Sequence, residues 1–554
     1  DDNTSELVHQ DIHTGINYND VITKLGYVEN GGTGAGIVPA AGLGATKSSE
    51  VLTAFKNAAA YTNDNTVYTG ASATNNSRVL PFINSGDVIM EGKLLSFSNS
   101  YDHGDTSNNN VAGLIINTGT INTNPYFRSA TNVEEENNAI FVISPEILYS
   151  NIGNQQTYYN SGKVNTWTKK TGMFLFLPTE IETSATNVAT PRPVNVVNTG
   201  NGEMNMYGEK STGIYVKTKI NLDLNFTDAT TSGTTVADTT ANGSVTHTKL
   251  SATPTKYNPL TVYGDSSTGL YVPQDSTNEH PTQSKITGYF GVSIGDTSGK
   301  SNEYFTNTAQ TTQGTVITSA DHYSVNSTND TPPAGYIADP VSGVTPTTTY
   351  KAEYQGRKKT LNTRDIQGST GIYSFGNLDL QGHEISIYGN TDGNVGVYSA
   401  ANVTYDLGKG KMLLQDGKNN TAIVVPTTGG RVVADSDVTL TRGVGNMAIY
   451  ATKAGSSTAE TVKIKTLNSS NTVNAIGIYA DTGAYVKVTD GVKMLAMGIS
   501  NNPSKQVTDS KTGIIYGGEN TGAVYAKGGA EVDINRTVLS GNTWDVDVKG
   551  EHLY

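Results

Sequence analysis

A short motif returns along this chain: Tyr-Gly, a few polar residues, then Thr-Gly-aliphatic-Tyr. It runs from Tyr207-Gly208 to Thr212-Gly213-Ile214-Tyr215, and again from Tyr263-Gly264 to Thr268-Gly269-Leu270-Tyr271. Looser copies run from Tyr388-Gly389 to Gly396-Val397-Tyr398 and from Tyr516-Gly517 to Gly522-Ala523-Val524-Tyr525. Half-copies stand at Gly371-Ile372-Tyr373, Met447-Ala448-Ile449-Tyr450 and Gly477-Ile478-Tyr479. Repetition on this scale is the mark of a solenoid, in which each unit buries its apolar face only against its neighbours. Such a fold is a rod with repeated faces rather than a cup around one active site.

A second motif alternates with the first: Asn, a small residue, Gly, then every second residue aliphatic. Examples begin at Asn84, Asn117, Asn160 and Asn198. Asn and Gly tolerate the left-handed backbone of a tight corner. The alternation that follows places one face of a short strand inward. Each unit therefore reads as corner, strand, corner, strand. Tyr215 to Tyr271 spans 56 residues, Tyr373 to Tyr398 spans 25, Tyr398 to Tyr450 spans 52, Tyr450 to Tyr479 spans 29 and Tyr479 to Tyr525 spans 46. A coil of roughly 25 residues with insertions accounts for this series, and about fourteen coils at a strand spacing of about 4.8 Å would make a rod of about 65 Å. The expected fold is all-β: a right-handed parallel β-helix, the hand that chirality favours for parallel crossovers. It carries loop insertions and a small, partly helical N-terminal cap.

The cap is expected over residues 1–75 and the β-helix over 76–554. In the cap, Val51, Leu52, Phe55 and Ala58 share a helical face behind Ser48 as N-cap, and Val21, Ile22 and Leu25 suggest a second short helix. Gly31 to Gly36 forms a turn between them, and the cap would cover the exposed strand edges at the end of the stack. Insertions rich in Ser, Thr, Asn and Pro are expected near 102–167, 227–259 and 296–365.

Composition narrows the function. Among 554 residues there is no cysteine, 16% are charged and the net charge is −13. The acidic balance and the lack of a basic run disfavour a nucleic-acid partner. A chain of this length without cysteine suits a bacterial surface protein exported unfolded, and equally a cytosolic one. No apolar stretch is long enough to span a membrane as a helix. Asp1 begins no signal peptide, and the chain reads as a mature fragment of something longer.

Catalytic and metal signatures are poor. Gly264-Asp265-Ser266 lies inside the repeat and reads as a corner, and Gly295 to Ser301 is one residue short of a phosphate-binding loop. His9 and His13 lack further ligands, and Glu134-Glu135-Glu136 reads as a solvated run. No catalytic residue, metal site or cofactor is expected. The repeat residues Gly213, Tyr215, Gly269, Tyr271, Gly371, Tyr373, Gly396, Tyr398, Gly477, Tyr479, Gly522 and Tyr525 read as structural corners, with the tyrosines stacked coil on coil. Candidate ligand-binding residues are Tyr126, Phe127, Tyr149, Tyr158, Tyr159 and Trp167, aromatic side chains among polar loops. Read singly, each fits the core of an irregular coil better than a binding surface.

The alternation of Asn-Ser/Thr-Gly (Asn84, Asn117, Asn160, Asn198) with Ser-Thr-Gly-Ile-Tyr (Ser211 to Tyr215, Ser369 to Tyr373) resembles the passengers of type V autotransporters. It is most similar to the very large fusobacterial adhesins of the RadD-like group, over roughly 80–554. The resemblance implies a non-catalytic tip fragment on the bacterial surface, reaching the outer membrane through a C-terminal barrel. It implies monomeric attachment to a galactose-type host glycan, a host surface receptor or a partner bacterial surface protein. Two alternatives stand beside it: a polysaccharide-processing enzyme on the same fold, and a pure structural stalk.

Overall fold

The two corner motifs turn the chain through three faces per coil, and every coil lies parallel on the one before. The computed structural model describes 193–229, 365–426, 428–452, 459–496 and 522–540 without a break. It also describes most of 254–297, together with strand segments elsewhere between 27 and 553. The chain is a parallel β-helix. The segments with helical periodicity at the N-terminus lie outside the described residues. On either side of the glycine run, Tyr27–Glu29 and Ile37–Pro39 pair antiparallel, so that run joins two strands.

The third face of the coil is the most regular. Among the described residues it stacks twelve strands, from Leu95–Ser98 through Thr212–Val216 and Ile476–Ala480 to Trp544–Lys549. Twelve coils rather than fourteen make that sheet about 53 Å long at a spacing of about 4.8 Å.

Each letter of the Ser-Thr-Gly-Ile-Tyr motif has a separate task. The Ser oxygen accepts the backbone N–H of its counterpart one coil back: Ser211 N to Ser267 Oγ at 3.0 Å, then Ser267 N to Ser369 Oγ at 3.1 Å. Asn takes the place of Ser further on, with Ser369 N to Asn394 Oδ1 at 2.8 Å, Asn394 N to Asn420 Oδ1 at 3.0 Å and Asn420 N to Asn446 Oδ1 at 2.9 Å. Buried backbone donors that the corner leaves without a strand partner are satisfied this way. The aliphatic residue (Ile214, Leu270, Ile372, Val397, Ile449, Ile478) points into the core. The Tyr points outward and is half-exposed.

The glycine and tyrosine of the Thr-Gly-x-Tyr half are not corner residues. Gly213 with Tyr215, Gly269 with Tyr271, Gly371 with Tyr373, Gly396 with Tyr398, Gly477 with Tyr479 and Gly522 with Tyr525 all lie within strands of the third face. Glycine is needed there for clearance inside the rod. A Cβ on Gly213 would stand 2.4 Å from Leu260 Cδ1, and one on Gly269 would stand 2.7 Å from Val292 Cγ2. The corner belongs to the Tyr-Gly half, where a Cβ on Gly264 would meet the Gly208 carbonyl at 2.0 Å.

The first and second faces change character along the rod. In the first coils they are separate strands, such as Gln156–Asn160 and Lys163–Thr166, or Pro193–Asn198 and Glu203–Met206. A ladder of buried Asn amides stitches the corner between them. Asn84 Nδ2 donates to Asn117 Oδ1, Asn117 to Asn160 and Asn160 to Asn198, each at 2.8 Å. The last rung passes from Asn198 Nδ2 to the Asn258 carbonyl at 3.0 Å. At the next coil the corner is gone. Lys285–Ile294 pairs with Asn221–Asn225 through its first half and with Leu260–Val262 through its second. Leu378–Tyr388, Thr404–Gln415, Arg431–Thr441, Val462–Thr472 and Tyr485–Ala496 continue as single long strands bent at register shifts. Glycine and a buried histidine occupy that bend. His383 Nδ1–H donates to the Leu407 carbonyl at 2.8 Å, so Nε2 accepts from Ser436 Oγ at 2.9 Å. Burial lowers its pKa to about 4 and keeps the ring neutral.

Candidate binding surface

Of the aromatic residues expected to meet a ligand, Tyr158 and Tyr159 lie in the strand Gln156–Asn160 and are 2% and 5% exposed. Tyr158 packs against Phe141, Phe174 and Phe176 in the core, with ring centroids 6.3, 5.9 and 6.4 Å away. Neither offers a ring face to a partner, because both are buried, Tyr158 on the inward side of the strand. Tyr126, Phe127, Tyr149 and Trp167 lie outside the described residues. The segment 102–167 is not one insertion, since it contributes strands to all three faces: Asn110–Asn117, Thr120–Thr123 and Ala139–Ser144.

The outward tyrosines form a row along the third face. Centroids stand 5.4 Å apart for Tyr215 and Tyr271, 5.6 Å for Tyr271 and Tyr373, and 5.2 Å for Tyr373 and Tyr398. After Val424 the row resumes, with Tyr450 to Tyr479 at 5.0 Å and Tyr479 to Tyr525 at 5.1 Å. Stacked rings cover one another's faces and leave edges and hydroxyls outward. Three of the five pairs are stacked, while Tyr271–Tyr373 is tilted and Tyr373–Tyr398 meets edge to face, and in every pair the rings join one coil to the next.

A different patch gathers where the Asn ladder ends. The insertion base is pinned by Asn258 N to the Phe226 carbonyl at 2.9 Å, Asp228 N to the Lys256 carbonyl at 3.0 Å, and Thr255 Oγ1 to Asp228 Oδ2 at 2.8 Å. This holds Tyr257 over the first face. From the neighbouring coil, Gly288 adopts φ 94° at a register shift, and the bulge re-aims Tyr289. Both side chains lean over Gly382, where an added Cβ would meet Tyr257 Oη at 2.6 Å and Tyr289 Cδ1 at 2.9 Å. Burial raises the pKa of both phenols, and the charges of Asp223 and Glu384 add to the effect at Tyr289 and Tyr257 respectively. Asp223 itself is pushed up to about 7 by burial, against a hydrogen bond from Thr287 Oγ1 at 3.2 Å. Glu384 is answered by Lys411 at 3.1 Å. Two half-buried phenols between two carboxylates can exchange hydrogen bonds with a hydroxylated or amide-bearing partner. Tyr257 falls in the insertion expected at 227–259. Tyr289, Asp223 and Glu384 carried no sequence signal, because only the bulge and the strand register bring them together.

Three antiparallel excursions leave the rod among the described residues. Thr234–Thr240 pairs with Gly243–Lys249. His322–Val325 and Tyr336–Asp339 flank Thr348–Ala352. Val507–Thr508 pairs with Ile515–Tyr516. The first departs between the first and second faces, the other two between the second and third. The Ser/Thr-rich insertions at 227–259 and 296–365 therefore contain strands of their own. No known protein family, curated protein or solved structure matches the chain.

Proposed function

We propose that this chain is a non-catalytic adhesin displayed on a bacterial surface, its β-helix acting as a stiff stalk that carries binding loops. The observation that carries this reading is the placement of the antiparallel excursions. All three leave from the two corners that bound the second face, so a rigid scaffold presents them along one side of the rod. Loops on a rigid scaffold are the usual seat of recognition. The Tyr257–Tyr289 patch at the base of the first excursion adds a defined polar and aromatic surface on the adjoining first face. The repeat style supports attachment in the manner of autotransporter passengers, anchored through an outer-membrane barrel. A galactose-type glycan, a host surface receptor or a partner bacterial surface protein are the occupants such a surface would meet.

The test is binding of the soluble chain to host and bacterial cells, with free galactosides or arginine as competitors. Saturable binding that is lost on replacing 234–249 by a short turn supports the adhesin. Binding absent from every cell type tested would leave a structural stalk. One observation favours a second reading. A carboxyl held near neutrality, as Asp223 is, suits proton transfer in a polysaccharide-processing enzyme. Cleavage of a polysaccharide panel, abolished by Asp223→Asn, would support that reading over attachment.

A further inference from the structure

The tyrosine row sets oxidisable rings beside one another in a chain that has no cysteine and so no disulfide. Neighbouring centroids lie 5.0 to 5.6 Å apart in five successive pairs, interrupted between Tyr398 and Tyr450 by Val424. All of these rings are half-exposed, with core on one side and solvent on the other. Their pitch varies on one backbone register, from 4° between Tyr215 and Tyr271 to 80° between Tyr373 and Tyr398. A ring can therefore turn edge-on to its neighbour without disturbing the strands. At Tyr479 the hydroxyl lies 3.5 Å from Asp481 Oδ2, an oxygen that Lys527 Nζ also reaches at 3.3 Å.

We infer that the third-face tyrosine row is an oxidative cross-linking site, where hydrogen peroxide acting through a haem peroxidase couples adjacent phenols into dityrosine and joins neighbouring coils. Each of two phenols gives up one electron and one proton. The two phenoxyl radicals form a carbon–carbon bond between ring positions ortho to oxygen. The hydrogens on those carbons then move to the two oxygens as the rings regain aromaticity. One hydrogen peroxide takes up the two electrons and two protons and leaves as two waters, so the protein loses two hydrogens per link. Joining Tyr271 to Tyr373 would close covalently a segment of 102 residues that contains the 322–352 sheet. The stalk would gain between coils what a disulfide provides elsewhere. This inference does not depend on what the loops bind.

The experiment treats the full chain, dilute and monomeric, with a haem peroxidase and hydrogen peroxide. The monomer band is then digested and searched for tyrosine peptide pairs lighter by two hydrogens. Links Tyr450–Tyr479, Tyr479–Tyr525 and Tyr215–Tyr271 are expected. Tyr479→Phe should remove the first two, leave the third at its original yield, and melt at the wild-type temperature. The closer pair Tyr207–Tyr263, at 4.8 Å and 5°, is an internal control: Tyr263 is buried and its ring is tethered by its hydroxyl, which donates to Asp296 Oδ2 at 2.7 Å, so its yield should be several-fold lower. Three results would overturn the inference. One is a link from Tyr398 to Tyr450 as abundant as those within the row. Another is Tyr207–Tyr263 as the dominant product. The third is no intramolecular dityrosine while N-acetyltyrosine couples in the same reaction.

Discussion

The coils before Asn258 and those after Lys285 solve the same geometric problem in two ways. Before it, a tight Asn corner separates two short strands, and side-chain amides bond along the rod at every level. After it, the corner becomes a bend inside one long strand, and backbone pairing runs almost unbroken from Leu378 to Tyr388 and on to Gln415. The first design depends on a line of buried polar side chains that must all be present. The second depends on glycine, small residues and one buried histidine at the bend. The difference predicts separate weak points, because a solenoid responds to a change mainly through the nearest coils.

The largest effect is expected in the Asn ladder. Asn160→Ala removes the acceptor of one Asn117 Nδ2–H, whose other N–H keeps the Lys163 carbonyl, and the donor to Asn198 Oδ1 on the other side. Two buried groups left unpaired cost about 2–6 kcal/mol in total. Amide hydrogen exchange should show lost protection around 110–206 and unchanged protection beyond 378. Equal loss in both regions would break the comparison.

Next comes the clearance inside the third face. Gly269→Val drives a branched side chain onto Val292 and the Gly371 carbonyl, which a Cβ would approach to 2.7 and 2.5 Å. Overpacking of this kind costs about 1–3 kcal/mol or more. A urea denaturation midpoint equal to wild type would show that the strand can move aside.

The two halves should also respond to pH with opposite signs. His383 has a folded pKa of about 4 against an ordinary 6.5, so the unfolded chain binds the proton first as pH falls. Its contribution is intact above pH 6.5 and is lost between there and about pH 4, amounting to about 3 kcal/mol. Asp223 runs the other way. Its folded pKa of about 7 lies above the ordinary 3.8, so the folded chain holds the proton, and stability falls as pH rises from about 4 through 7. Asp223→Asn should remove that fall and gain about 2 kcal/mol at pH 8 once partial exposure is discounted. His383→Gln should flatten the acid limb instead. Denaturation midpoints from pH 4 to 8 for the two variants check both signs.

The smallest effect sharpens the role of the tyrosine row. Val424→Tyr fills the gap between Tyr398 and Tyr450 in an outward position already flanked by rings. A gain of about 0.5–1 kcal/mol in thermal stability is expected from the added stacking. No gain would mean that the row is held by the backbone rather than by its rings.

The repeat itself determined a great deal. Asn84, Asn117, Asn160 and Asn198 announced corners, but for a reason other than backbone tolerance: each ends a strand in extended backbone, and its amide bonds to the next rung along the rod. Alternating aliphatics announced parallel strands with one buried side, and the recurring Tyr announced coil-to-coil stacking. These are local properties that recur with the coil, so a linear reading finds them. The assignment of Gly213 and its counterparts to corners failed because a glycine signal does not say whether it serves a turn or an inward clearance. Only Leu260 and Val292, arriving from the facing strands, decide that. Tyr158 and Tyr159 failed as surface residues because both are buried in their strand, Tyr158 among Phe141, Phe174 and Phe176, and two adjacent aromatics in sequence do not reveal that.

The fusion of two faces at Lys285–Ile294 was likewise invisible in sequence, since it follows from which strands that segment pairs with on either half. The patch of Tyr257, Tyr289, Asp223 and Glu384 joins residues up to 161 positions apart through a bulge and a strand register. Sequence alone thus determined that this chain stacks into a rod, because repeated local chemistry admits little else. Tertiary structure alone decided where the rod changes design and which side chains meet on its surface, because register and insertion are relations between coils that no single coil encodes.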